Sequence, residues 1–180
     1  MTSQPFLYVI VCASGIADDV GKLISAAQEE GWRVGVVATP NAMEFIDTAA
    51  IEEQTGYTIR SAWRTPDVPA SLPPADAIAV APATFNTINK WADGHADTLA
   101  LGILTEAYGL GIPVAAQPYV NSAQAAHPAY EASLQRLRSM GVLFGDYLPH
   151  KPKAGGGRDN YNWNTVLKLL RHVLEAKSNA

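Results

Sequence analysis

Three short runs of apolar residues constrain this chain more than any other feature: Phe6–Cys12 (FLYVIVC), Trp32–Ala38 (WRVGVVA) and Asp76–Ala81 (DAIAVA). Their brevity suits strands, and the lack of polar alternation requires burial on both faces. Strands of that kind belong to parallel sheets covered by helices on each side. The intervening segments carry helical spacing. Asp18–Glu30 places Val20, Leu23, Ile24 and Ala27 on one stripe, and Gly31 follows as a stop signal. Pro40 through Thr55 reads as a second helix on Met43, Phe45, Ile46 and Ile51, with others near Thr84–Ala92, Asp97–Tyr108 and Ala129–Met140. Further strands are expected at Pro113–Gln117, at Val142–Phe144 and, more weakly because of Arg60, at Tyr57–Ala62. Trp63–Pro74 holds four prolines without periodicity and reads as a loop. Residues 145–161, with Gly155-Gly156-Gly157 and two prolines, read as a mobile loop, and residues 163–176 as a terminal amphipathic helix.

These elements predict a single α/β domain over residues 1–180, three-layered and Rossmann/flavodoxin-like. Its mostly parallel sheet has five to six strands, with helices on both faces. A chain of 180 residues with 48% hydrophobic and 17% charged residues can bury one such core. The net charge of −4 and the scattered Lys and Arg give no basic stripe, so no nucleic-acid partner is expected. Cys12 is the one cysteine, which excludes an intramolecular disulfide and a Cys-based zinc cluster, and no metal site is expected. The N-terminus lacks a basic n-region and no apolar run approaches the ~18 residues of a membrane span, so a cytoplasmic protein without a membrane partner is expected.

Right-handed crossovers bring the loops after the strands to one edge of the sheet, where ligands bind in such folds. Those loops are Ala13–Ala17, Thr39–Ala42, Ala81–Thr87 and Gln117–Asn121. In the first, Ser14 and Gly15 allow backbone amides and a hydroxyl to approach an anion, although simple helix capping by Ser14 explains the loop equally well. Capping is the better explanation for Thr39, before Pro40. Ala81–Thr87 is different, because Thr84, Asn86 and Thr87 supply more hydrogen-bonding side chains than one cap requires. Three such groups in four positions suit the polar edge of a heterocycle or a ribityl chain. Asn121 is a neutral donor and acceptor at the same edge, or a turn residue. The four histidines form no recognisable triad or metal motif, and His127 and His150 read as loop residues.

Taken together these loops resemble the homo-oligomeric flavin-containing cysteine decarboxylase family, which includes phosphopantothenoylcysteine decarboxylases and the peptidyl-cysteine decarboxylases of lantibiotic maturation. Ser14-Gly15-Ile16-Ala17 looks like the family's first loop, and Thr39, Ala42 and Phe45 match its T-x-x-A-x-x-F segment. Pro82–Thr87 (PATFNT) is similar to its PASANT motif and runs into an ANGIADNL-like stretch at Ala92–Leu99. Pro118–Ala125 is similar to its PxMNxxMW motif, and His127-Pro128 and Leu137–Val142 continue the likeness. The resemblance implies FMN held by Ser14, Gly15, Thr39, Phe45, Pro82, Thr84, Asn86 and Thr87, with Asn121 on a substrate carboxylate. It also implies a homotrimer or an assembly of trimers. Phe85, Trp91 and Tyr119 lie near the site edge, where a neighbour would bury them, unless they pack within the protomer.

The departures are specific. Where the family carries a catalytic His, this chain has about Val68, with Asp67 and Arg64 as conceivable polar replacements. The late loop has no Cys, although Gly155-Gly156-Gly157-Arg158 resembles the family's Gly-x-Gly-Arg end, and Val120, Gln124 and Ala125 replace two Met and a Trp. A missing general base typically costs ~10²–10⁴ in rate. The expectation is therefore an FMN flavoprotein carrying out a redox or redox-linked decarboxylation on a non-standard substrate. The alternative is a non-catalytic flavin-binding regulatory or carrier protein, and flavin prenyl transfer ranks lowest.

Overall fold

Five strands form one sheet in the order β2-β1-β3-β4-β5, and every pairing is parallel. The computed structural model describes residues 4–152 and 156–178. The strands are β1 (Phe6–Val11), β2 (Arg33–Ala38), β3 (Ala77–Ala83), β4 (Val114–Pro118) and β5 (Leu143–Phe144). They alternate with α1 (Gly21–Glu29), α2 (Thr48–Thr55), α3 (Phe85–Ala92), α4 (Leu99–Leu110), α5 (Ser122–Ala125), α6 (Pro128–Ser139) and α7 (Thr165–Ser178). This is the expected flavodoxin-like arrangement, with five strands.

The period of two along β1 explains why the apolar run is unbroken. Leu7, Val9 and Val11 face one layer, packed with Leu23 and Ile24 of α1 and Val166, Leu167 and Leu170 of α7. Phe6, Tyr8, Ile10 and Cys12 face the other, packed with Ile88 and Trp91 of α3, Leu104 of α4 and Leu137 of α6. Both layers exclude water, so both faces must be apolar. Gly35 of β2 is required by packing: a Cβ there would lie 2.8 Å from Leu72 and 2.9 Å from Phe6.

The expected strand at Tyr57–Ala62 does not form, and only Arg60 bridges to Val37. Its amides are satisfied elsewhere: Tyr57 N donates to Thr55 Oγ1 and Ile59 N to the Glu52 carboxylate. Arg60 is the residue here whose backbone meets β2, donating to Val36 O and accepting from Ala38 N, while the Tyr57 and Ile59 amides, of opposite parity, point away from that strand. The first two helices also start later than their periodicity suggests. A 3-10 turn at Ala17–Val20 precedes α1, and another at Pro40–Glu44 ends before Asp47, whose side chain caps α2 by accepting from Ala50 N. The expected mobile loop 145–161 lies in part outside the described residues, at 153–155.

Candidate functional site

The chain leaves β1 toward β2 and leaves β3 toward β4, so adjacent strands β1 and β3 send their connections in opposite directions. A crevice must open where those connections diverge. It is present as a cavity of about 540 Å³, walled by Ala13–Gly15 after β1, Thr39–Asn41 after β2 and Thr84–Thr87 after β3. That volume is ordinary for a small-molecule or cofactor site.

The first loop does not use its hydroxyl for capping. Neither the 3-10 turn nor α1 receives a side-chain cap, and Ser14 Oγ is buried with no hydrogen-bond partner. Leaving a buried hydroxyl unpaired costs free energy, and Ser14 is one of the residues that line the cavity. Gly15 is open on that side, since an added Cβ would meet nothing within 4 Å. Thr39 has extended backbone at a cap position, yet its hydroxyl makes no capping bond and the residue lines the cavity. Thr84 does cap α3: its Oγ1 accepts from Thr87 N at 3.5 Å and donates to Thr87 Oγ1 at 3.3 Å. Asn86 is exposed at the rim. Beneath them lies Cys12, whose thiol titrates above its ordinary value because burial outweighs hydrogen bonding to Thr87 and Thr84.

Three residues expected at the site are not on this wall. Phe45 is 46% exposed at the end of its 3-10 turn, and Pro82, following a cis peptide bond, is buried within β3. Asn121 forms a reciprocal capping box with Gln124 at the start of α5, and it is Gln124 that reaches the cavity. The polar candidates Arg64 and Asp67 also lie off the wall, in the loop where Arg64 donates to the Val68 carbonyl at 2.5 Å. Trp91 is 2% exposed within its own layer, Phe85 stacks on Tyr130 and Tyr119 on His150. Trp91 therefore packs inside the protomer, whereas Phe85 and Tyr119 are half-buried and line the cavity.

Sequence reasoning placed Tyr119 near the site edge but missed His150 beside it on the far wall. Tyr119 and His150 close the cavity opposite the first loop, their rings stacked at 4.5 Å and 24°. His150 is held at both backbone groups: its N donates to Val120 O at 3.3 Å and its O accepts from Ser122 N at 2.7 Å. The Tyr147 hydroxyl lies 2.7 Å from His150 Nδ1, and burial pushes that phenol up to about 12. Tyr119 OH donates to Gly156 O at 2.9 Å. Gly157 has φ +95, and a Cβ there would lie 2.7 Å from the Tyr147 hydroxyl, so the backbone passes close over these rings. Arg158 then donates to Gly15 O at 2.6 Å, to Asp19 at 2.7 Å and to Asp18 at 2.9 Å, joining the late segment to the first loop. The sequence signal was the Gly156-Gly157-Arg158 run, which marks a close approach, together with Tyr147 three residues before His150.

The fold and the cavity at its switch point define a flavodoxin-like α/β protein with a preformed small-molecule site. A family model described as Flavoprotein matches residues 2–172, and the chain belongs to that family. It is 30% identical over 162 residues to the Coenzyme A biosynthesis bifunctional protein CoaBC of Thermococcus kodakarensis, covering 87% of this chain and 40% of that protein. Against the CoaBC of Bacillus subtilis the identity is 31% over 144 residues, covering 76% and 35%. The chain thus spans well under half the length of these curated relatives. A solved PPC decarboxylase mutant complexed with pantothenoylaminoethenethiol has the same fold, with a TM-score of 0.74, 21% identity and coverage of 94% and 100%. So does the FMN binding protein AtHal3, with a TM-score of 0.74, 21% identity and coverage of 97% and 98%. The FMN-dependent cysteine decarboxylase TvaF superposes with a TM-score of 0.72, 22% identity and coverage of 98% and 99%.

Proposed function

We propose that this chain binds FMN in the cavity at the β1/β3 switch point and performs a redox or redox-linked decarboxylation on a non-standard substrate. The observation that carries the reading is the buried, unpartnered hydroxyl of Ser14, a residue of that cavity's wall. A polar group left unpaired in an otherwise satisfied loop is what a ligand-binding position looks like without its ligand. Thr39, Thr84, Asn86 and Thr87 surround it with hydroxyl and amide groups suited to a ribityl chain and a heterocycle edge, and Gly15 permits close backbone approach. When bound, FMN supplies the electron acceptor, and the protein's part is to position and tune. Arg158 offsets the carboxylates of Asp18 and Asp19 beside the first loop, which favours an anionic group there. The homotrimer stays part of this reading, resting on the resemblance alone, and light scattering on the eluted protein tests it.

The visible spectrum of the purified protein, before and after adding FMN, is the test. A flavin band near ~450 nm retained through gel filtration is expected. A colourless protein that leaves added FMN free overturns the reading. The second reading, a non-catalytic flavin carrier, is favoured by one observation: loop 63–74, where the family His is expected, contributes nothing to the cavity wall. Turnover of a cysteine-terminated peptide or of phosphopantothenoylcysteine by the yellow protein removes it.

A further inference from the structure

We infer that His150 is the acid–base group of this site and takes the proton of a substrate thiol at Nε2. The inference rests on the proposed redox reading of the cavity, which needs such a group and lacks it at the family's position. Of the four histidines, His95 is exposed between α3 and α4, His127 uses Nδ1 to cap α6, and His172 is exposed on α7. His150 alone lies on the cavity wall. The other titratable groups on that wall are otherwise engaged: Lys90 pairs with Asp97, and Tyr119, raised by burial, donates to Gly156 O. The imidazole is therefore the wall group suited to proton transfer near neutrality.

Its surroundings suit that task. Stacking on Tyr119 and two backbone hydrogen bonds fix the ring, as a proton-transfer group requires. The Tyr147 hydroxyl oxygen accepts Nδ1–H in both protonation states, which leaves the Nε2 lone pair of the neutral ring to take a proton. Because burial keeps that phenol protonated, it holds the ring without competing for the proton. In the step itself the S–H bond breaks, the electron pair stays on sulfur, and the proton forms the Nε2–H bond of an imidazolium.

The test is a pH titration of the His150 ring by ¹⁵N NMR, assigned with His150→Gln, on the protein with and without FMN. N-acetylcysteine is the probe and N-acetylserine its control. An imidazolium–thiolate pair raises the His150 midpoint by about 1 pH unit with N-acetylcysteine, and N-acetylserine leaves it in place. A midpoint unmoved by N-acetylcysteine, or moved equally by both compounds, overturns the inference. Loss of the FMN reading shows separately, as FMN fluorescence that the protein does not quench.

Discussion

The Ser14 hydroxyl and the Gly157 backbone make opposite demands on substitution. Ser14→Ala removes an unpaired buried polar atom, so the ligand-free protein is expected to gain about 1 kcal/mol of stability. Under the proposed reading the same change removes a flavin contact, and FMN affinity should fall about 2- to 10-fold, the worth of one net hydrogen bond. Thermal melts and fluorescence quenching on the same preparation read both signs, and a change in the same direction for both would sink the assignment. Gly157→Ala forces a Cβ to within 2.7 Å of the Tyr147 hydroxyl at a backbone conformation that L-residues avoid. It should cost about 1–3 kcal/mol in a chemical denaturation. At this scale the sequence was legible where polar groups crowd, as at Thr84, Asn86 and Thr87. It was less legible where a motif position gives no side-chain direction. Asn121 matches a family motif in spacing, yet its carboxamide caps its own helix.

Among the elements, those buried on both faces were readable because their composition has one explanation. β1, β2 and β3 formed at the expected places since no other structure hides so short an apolar run. Tyr57–Ala62 failed because only Arg60 pairs with the edge strand β2 before the proline-rich loop from residue 63 leads the chain away. The far wall as a whole was unreadable for a further reason: it joins residues 119, 147, 150 and 158, which only folding brings together. Arg158→Ala should weaken FMN binding about 10-fold, because Asp18 and Asp19 are then uncompensated beside the first loop. Titrations at low and high salt check it, the wild-type advantage shrinking as salt screens these half-exposed pairs. Acid should act on the same contact. Burial raises the Asp19 carboxyl, but hydrogen bonds from Lys22 and Arg158 outweigh that and hold it below its ordinary 3.8. A depressed folded value means that the contact's stabilisation is complete above 3.8 and fades as pH falls through the lower folded value. Melts between pH 6 and pH 3 should therefore show wild type and Arg158→Ala converging only at the acid end.

Among the described residues the molecule is a sheet covered on both faces, with the cavity beyond the carboxyl ends of its strands. No helix among the described residues is long and apolar enough to cross a membrane. A ligand that binds only the folded state must raise the melting temperature. At about 100 times its dissociation constant FMN contributes ~2.7 kcal/mol, or roughly 5–10 °C for a domain of this size. Differential scanning fluorimetry with FMN and with riboflavin measures it. An equal shift from riboflavin would show that the phosphate contributes nothing and would remove the anion role given to the first loop.

Arg158 touches residues 139 to 143 positions earlier, in the loop that also presents Ser14. Two stretches of chain far apart in sequence therefore share one cation. Equilibrium linkage makes such sharing reciprocal: whatever a ligand adds to the order of the first loop, closure of the late segment adds to the ligand's affinity. An occupant of the far wall should thus tighten FMN binding.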